Sequence, residues 1–234
     1  MPQLQAPTLT DGFPLDADVK RLYDTLHTCL ATAEESHEPY RHWIWRNVLP
    51  EDIIRELSVL PFPKPDLHGV SGKRELHNES RHYFDAENNK RFPACDKVSR
   101  LFQADETVRM LQDFTGADLA GTNVRLEYTL DADCFWLQPH TDLGVKRITL
   151  LLYMPDAPDQ EDLGTDVYKD PDTWALRPPF EWNAALGFVP GDNTYHGFEK
   201  RDIPRVRRTM ILNYVTQDWR AREQLAYPDL PVRA

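Results

Sequence analysis

Apolar residues recur along this chain with two different periods, and the change between them divides the sequence. From Asp16 to Ala33, Val19, Leu22, Leu26, Cys29 and Leu30 return mostly at three- or four-residue spacing, which predicts a helix with one apolar face. His42-Trp43-Ile44-Trp45-Arg46-Asn47-Val48 is aromatic and extended in character. Pro50 then opens a helix over Glu51 to Leu60, with acids in the first turn where the helix dipole favours them. Pro61, Pro63 and Pro65 stop that helix, and 64–92 is polar with little apolar period, which predicts a long loop. Helical spacing resumes from Asp96 to Phe114 through Val98, Leu101, Phe102, Val108 and Leu111, with Gly116 placed as a C-terminal cap.

Beyond Gly121 the period becomes two. Val124, Leu126 and Tyr128 alternate with Arg125 and Glu127, and short strands are expected at Ile148 to Met154, Ala184 to Val189 and Arg207 to Val215. Helices followed by a succession of short strands give an α+β chain with a β-sandwich or barrel core. There is no internal repeat. The expected organisation is a single domain over 1–234: a helical flank and covering loop over 1–120, a β core over 121–217 and a C-terminal tail over 218–234.

Composition narrows the setting. Of 234 residues 41% are hydrophobic and 28% charged, enough for a core without staples. No apolar run approaches the ~20 residues of a membrane helix, so no membrane span is expected. The net charge of −11 disfavours a nucleic-acid partner. The chain starts Met-Pro-Gln-Leu-Gln-Ala-Pro, without a basic start and apolar stretch, and Cys29, Cys95 and Cys134 are odd in number and widely spaced. Both features predict a cytoplasmic protein whose cysteines are small buried hydrophobes.

The candidate chemistry lies on the strands. In Gln138-Pro139-His140-Thr141-Asp142, His140 and Asp142 are two apart in a strand context and leave the same face. A third ligand is available at His196. Two imidazoles and a carboxylate form the facial triad of non-heme iron oxygenases, which leaves half of an octahedron open for other ligands. Eleven residues after His196 comes Arg207-Arg208-Thr209, ahead of an apolar strand.

With these residues the chain resembles the Fe(II)- and 2-oxoglutarate-dependent dioxygenases, particularly their prolyl-hydroxylase-like branch, over about 122–216, with a looser echo in His42 to Leu60. The resemblance implies a double-stranded β-helix (jelly-roll, cupin-like) core with N-terminal flanking helices. It implies Fe(II) as cofactor and 2-oxoglutarate and O2 as cosubstrates, with His140, Asp142 and His196 as iron ligands. Arg207 would anchor the distal carboxylate of 2-oxoglutarate, with Arg205 and Arg208 as rivals. Strand alternation puts Arg207, Thr209, Ile211 and Asn213 on one face and Arg208 and Met210 on the other, which favours Arg207 with Thr209. Tyr153 falls where related hydroxylases place a supporting tyrosine, and Tyr128 could touch either cosubstrate or core. Gly164 to Tyr168 looks like the family's glycine-containing strand between the ligands. Asp142 disfavours halogenation, since related halogenases carry a small residue there.

Alternation back from His140 puts Gln138 and Trp136 on its face as substrate contacts, with core filling the alternative for Trp136. Arg74, Asn78, Arg81 and His82 lie in the expected covering loop, where Arg81 is the favoured substrate contact. The implied substrate is a small molecule or amino-acid-like compound, hydroxylated at an unactivated C–H bond with release of succinate and CO2. Arg74, Arg81, Lys146 and Arg147 admit an acidic group on it, and surface solvation is the other reading. The rival function is a cupin-like metal-binding isomerase or ligand-binding protein, which has no need of the Arg207-Arg208-Thr209 anchor. Finally, 200–222 holds seven bases against two acids, a local excess of positive charge beside the distal ligand in an acidic chain.

Overall fold

The computed structural model describes residues 13, 15–64, 72, 81–132 and 134–234. Helix α1 (Ala17–Ala31) begins where Asp16 Oδ1 accepts the Val19 N–H at 3.0 Å, and its buried face is the expected one. Strand β1 (Glu34–Ser36) pairs with β2 (His42–Arg46), and α2 (Glu51–Ser58) follows Pro50. The expected loop over 64–92 carries structure at its end: β3 (Arg81–Tyr83) and a short helix α3 (Ala86–Arg91), capped by Asp85. The expected helix from Asp96 to Phe114 is two, α4 (Pro93–Gln103) and α5 (Asp105–Thr115), because Ala104 turns extended at ψ 134°. Pro93 at the first position of α4 and the acids Asp105 and Glu106 opening α5 are the start signals that the continuous apolar period hides. Gly116 caps α5 at φ 78°, a left-handed conformation that glycine adopts without steric cost.

Eight further strands follow: β4 (Asn123–Asp131), β5 (Leu137–His140), β6 (Lys146–Tyr153), β7 (Asp166–Asp170), β8 (Thr173–Leu176), β9 (Ala184–Phe188), β10 (His196–Phe198) and β11 (Arg207–Val215). They form two antiparallel sheets, ordered β1-β2-β9-β6-β11-β4-β3 and β5-β10-β7-β8. This is the α+β double-stranded β-helix expected from the sequence, with β2 and β3 from the front half extending the larger sheet.

The larger sheet separates two interiors. Val124, Leu126, Tyr128 and Leu130 of β4, with Met210, Leu212 and Tyr214 of β11, pack against α1, α2, α4 and α5 in one core. Leu151, Tyr153, Leu186 and Phe188 face the smaller sheet in a second core with Val167, Phe180 and Phe198. All nine residues of β4 are buried, although polar and apolar side chains alternate along it. In a half-exposed strand Arg125, Glu127, Thr129 and Asp131 would face water. Here they face the space between the sheets, so the fold encloses a polar-lined interior, and that is where ligand chemistry belongs. The chain after β11 folds back on β4, with N–H bonds from Ala226 to Val124 O and from Val232 to Thr122 O.

Cys29 and Cys95 are buried, and burial pushes each thiol up to about 12, as expected for inert core cysteines. Cys134 is exposed, against the same expectation, because it occupies a turn before β5 at φ 70°. No helix among the described residues is long and apolar enough to cross a membrane.

Candidate metal centre and its cavity

Strands β5 and β10 set His140 directly opposite His196, with ring centroids 4.5 Å apart. The loop leaving β5 returns Asp142 to the same place. One ligand atom from each of the three lies within 4.8 Å of the others, and this is the one such cluster of His, Cys, Asp or Glu among the described residues. Both rings are held alike: Nδ1 of His140 is 3.0 Å from the Gln138 carbonyl oxygen, and Nδ1 of His196 is 3.0 Å from that of Thr194. A carbonyl only accepts, so the proton is assigned to each Nδ1, which makes Nε2 the lone-pair atom of each ring. A carbonyl behind the ring is a common way of orienting a metal-ligating histidine.

The close approach of the two strands depends on Gly197. A Cβ there would lie 2.7 Å from Leu137 O and 3.2 Å from Gln138 O, both backbone atoms of β5. Gly197→Ala is therefore expected to push β5 from β10 and separate the two imidazoles. Calorimetric titration with Mn(II) should show affinity lowered roughly ten-fold or more; unchanged affinity would mean that this spacing does not set the site.

Asp142 is held on both oxygens, with its side chain only 1% exposed. Oδ1 accepts from the ammonium of Lys146, equally buried, and Oδ2 accepts from Thr149 Oγ1 at 2.5 Å. Thr149 in turn accepts from Asn213 Nδ2 at 2.9 Å, and Arg125 Nη1 donates to Asn213 Oδ1 at 3.2 Å. Arg125 and Arg81 both pair with Glu127, which is fully buried. The Arg125 guanidinium also lies 4.9 Å from the Tyr83 ring and 4.7 Å from that of Trp219. A connected polar network thus runs from the triad to the rim of the cavity, and each member holds the next in one orientation. Thr149, Arg125, Glu127 and Asp131 join the site only in the folded chain, and their signal in the sequence is a polar side chain alternating within an otherwise apolar strand.

At the opposite end of the inner chamber stands Arg207. Its Nε donates to Leu163 O at 2.7 Å, Nη1 to Asp131 Oδ2 at 2.5 Å and Nη2 to Thr165 Oγ1 at 3.4 Å. Three of five N–H groups are used, which leaves one on each Nη for a planar acceptor. Thr209, two residues along the same face, is fully buried, and its hydroxyl has no hydrogen-bond partner among the described residues. A buried hydroxyl without a partner beside a guanidinium edge fits a carboxylate. Arg208 points elsewhere and pairs with Asp156 at 2.7 Å, and the exposed Arg205 pairs with Asp159 at 3.4 Å. Tyr153 is buried next to this end, where its oxygen accepts the Thr165 N–H at 3.3 Å, and burial raises its pKa. It braces Thr165 rather than lining the chamber.

Several expectations need correction. Tyr128 lies on the helix side of β4 and its hydroxyl donates to Leu57 O at 2.8 Å, so it cannot reach cosubstrate. Trp136 is half-buried against Gly72, and Phe135 and Leu137 line the chamber in its place. The alternation fails because β5 begins only at Leu137 and its register with β10 shifts between His196 and Phe198. Gln138 is exposed and lines the mouth, and Arg81 lines both mouth and inner chamber. His82 stacks on Phe62 with centroids 4.4 Å apart, away from the cavity, and burial lowers its pKa. Of the anionic-substrate candidates, Lys146 is inside the cavity, while Arg147 is exposed and donates to Gly144 O. Arg74 and Asn78 lie outside the described residues. The positive excess over 200–222 is largely offset in space, because Arg201, Arg205, Arg207 and Arg208 each meet an acid from another segment: Asp166, Asp159, Asp131 and Asp156.

The cavity has two parts that share Arg81, Leu137, His140 and Asp142. The inner chamber is about 60 Å³, which at about 10–15 Å³ per water holds roughly four to six waters, the bulk of a short dicarboxylate. The outer mouth is about 310 Å³, bounded by Tyr83, Arg125, Leu143 and Trp219 among others.

No family model and no curated protein matches the chain. Solved structures of similar fold do exist. A prolyl 4-hydroxylase from Phytophthora capsici superposes with TM-score 0.54 at 14% identity, over 86% of this chain and 66% of that one, so the present chain spans just under two thirds of its length. A prolyl-4-hydroxylase from Pseudomonas putida gives 0.51 at 15% identity, over 83% and 94%. A prolyl hydroxylase from Trichoplax adhaerens, in complex with a hypoxia inducible factor oxygen degradation domain peptide fragment, gives 0.52 at 13% identity, over 85% and 91%. At these identities the likeness is one of fold, and the double-stranded β-helix is common to all three.

Proposed function

We propose that this chain is an Fe(II)- and 2-oxoglutarate-dependent oxygenase that hydroxylates a small or amino-acid-like substrate. The observation that carries this reading is the convergence of His140, Asp142 and His196 within 4.8 Å, at one end of a chamber whose other end presents Arg207 and the Thr209 hydroxyl, which has no hydrogen-bond partner among the described residues. A metal cluster alone would suit an isomerase or a binding protein equally well. A buried guanidinium across the same chamber that keeps one N–H on each Nη beyond its bonds to Asp131, Leu163 and Thr165 suits an anion bound there together with the metal.

His140 Nε2, His196 Nε2 and the Asp142 carboxylate would hold the iron on one face, each fixed from behind by Gln138 O, Thr194 O and Thr149 Oγ1 respectively. Arg207 and Thr209 would take the distal carboxylate of 2-oxoglutarate, and Asp131, Leu163 and Thr165 keep the guanidinium from turning away. Held there, iron with 2-oxoglutarate would supply the oxidising power to hydroxylate an unactivated C–H bond at the expense of O2, with succinate and CO2 as co-products. Phe135, Leu151, Phe198 and Ile211 give the chamber apolar walls that exclude water from that chemistry. Substrate would enter by the mouth, with Arg81 and Gln138 as polar contacts and an acidic substrate group matched to Arg81.

Purified protein given Fe(II), 2-oxoglutarate and O2 should release succinate slowly even without a substrate, and faster when a screened compound engages the mouth. Bound metal with no 2-oxoglutarate consumption under any condition would defeat the oxygenase reading.

A further inference from the structure

Lys146 is paired with Asp142 at the metal end of the chamber, and its position there gives it a further role. It opens β6, its side chain is 1% exposed, and its ammonium sits on Asp142 Oδ1 in the wall of the inner chamber beside His140 and His196. A buried lysine is costly unless paired, and a divalent ion held by Asp142 would stand within a few ångströms of it, so the two positive charges compete for one carboxylate. We propose that Lys146 is a resident counter-cation: it neutralises Asp142 in the metal-free protein, yields that charge when a divalent metal arrives, and is then satisfied by the anion sharing the chamber. The site would therefore take up metal and dicarboxylate as a coupled pair, with metal held weakly until an anion arrives. Lys146 acts here as a positioning residue, through Asp142 and the anion rather than on the reacting atoms.

The inference rests on the proposed metal centre and is separable from it by experiment. Mn(II) is titrated calorimetrically, at one fixed pH, into wild-type protein, Lys146→Met and Lys146→Arg, each with and without saturating succinate as a dicarboxylate that lacks the 2-keto chelating group. Without succinate, Lys146→Met should bind Mn(II) at least ten-fold more tightly than wild type, and Lys146→Arg should stay near wild type. Succinate should tighten Mn(II) binding several-fold in wild type and less in Lys146→Met. Melting of the metal-free proteins supplies a second readout: Lys146→Met should melt lower than wild type and regain more stability on adding Mn(II). Equal or weaker Mn(II) binding by Lys146→Met, with wild type still binding, overturns the counter-cation role and leaves the metal centre standing. If neither protein binds Mn(II), the metal centre itself fails and the inference with it.

Discussion

Asp142→Ala should abolish Mn(II) binding at the triad and also destabilise the fold. The first effect follows from losing one of three ligands. The second follows from Lys146, whose buried ammonium would face a chamber wall without its carboxylate. Breaking one side of a buried ion pair costs about 3–5 kcal/mol, because the remaining charge stays desolvated. Simple truncation of this ligand is therefore not neutral for folding, and loss of activity in that variant would not by itself identify a ligand. The double variant Asp142→Ala/Lys146→Met separates the two effects. Thermal melting should recover most of the lost stability, while calorimetry still finds no Mn(II) binding. A double variant as unstable as the single one would mean that the pair does not carry this charge balance.

Arg207→Met should raise the 2-oxoglutarate KM roughly a hundred-fold, measured by succinate release without substrate. The figure follows from two charge-assisted hydrogen bonds to the distal carboxylate at about 1.5–3 kcal/mol each, of which part is recovered by water. Asp131 complicates this variant as Lys146 does the previous one, because its carboxylate is buried against Arg207 at 2.5 Å. Pairing the change with Asp131→Leu removes the stranded acid, and the KM effect should persist when stability is restored. Arg208→Ala should leave the KM within two-fold, since its partner is Asp156 outside the chamber. A large KM effect from Arg208 and none from Arg207 would place the anchor on the wrong face of β11.

The two periods in the sequence already separate the helical front from the strands, and the order of His140, Asp142, His196 and Arg207 along the chain already marks the chamber's two ends. Alternation on β11 was enough to separate Arg207 from Arg208, because a nine-residue strand with neighbours on both sides keeps its period. The same rule fails at β5, a four-residue strand containing Pro139 whose pairing slips, and there Phe135 and Leu137 rather than Trp136 line the chamber. Tyr128, open from the sequence to either cosubstrate or core, falls on the core side. The sequence shows which residues of β4 share a face but not that both faces are buried, and the apolar face proved to be the one under the helices. Long-range charge pairing was hidden as well. Lys146 with Asp142 is local, but Arg207 meets Asp131 from 76 residues away, and Arg81 and Arg125 meet at Glu127 only once β3 docks on β4. The acids that offset the basic 200–222 stretch come from the same kind of distant pairing.

The central claim is that metal and dicarboxylate share one chamber, held by His140, Asp142 and His196 at one end and by Arg207 with Thr209 at the other. A crystal structure of the protein grown with Mn(II) and 2-oxoglutarate, with anomalous data at the manganese edge, tests it most directly. The expected result is a single strong anomalous peak bonded to His140 Nε2, His196 Nε2 and an Asp142 oxygen, with the distal carboxylate on the Nη edge of Arg207 and the Thr209 hydroxyl. Manganese bound elsewhere, or a dicarboxylate lying in the mouth on Arg81 with Arg207 untouched, would contradict it.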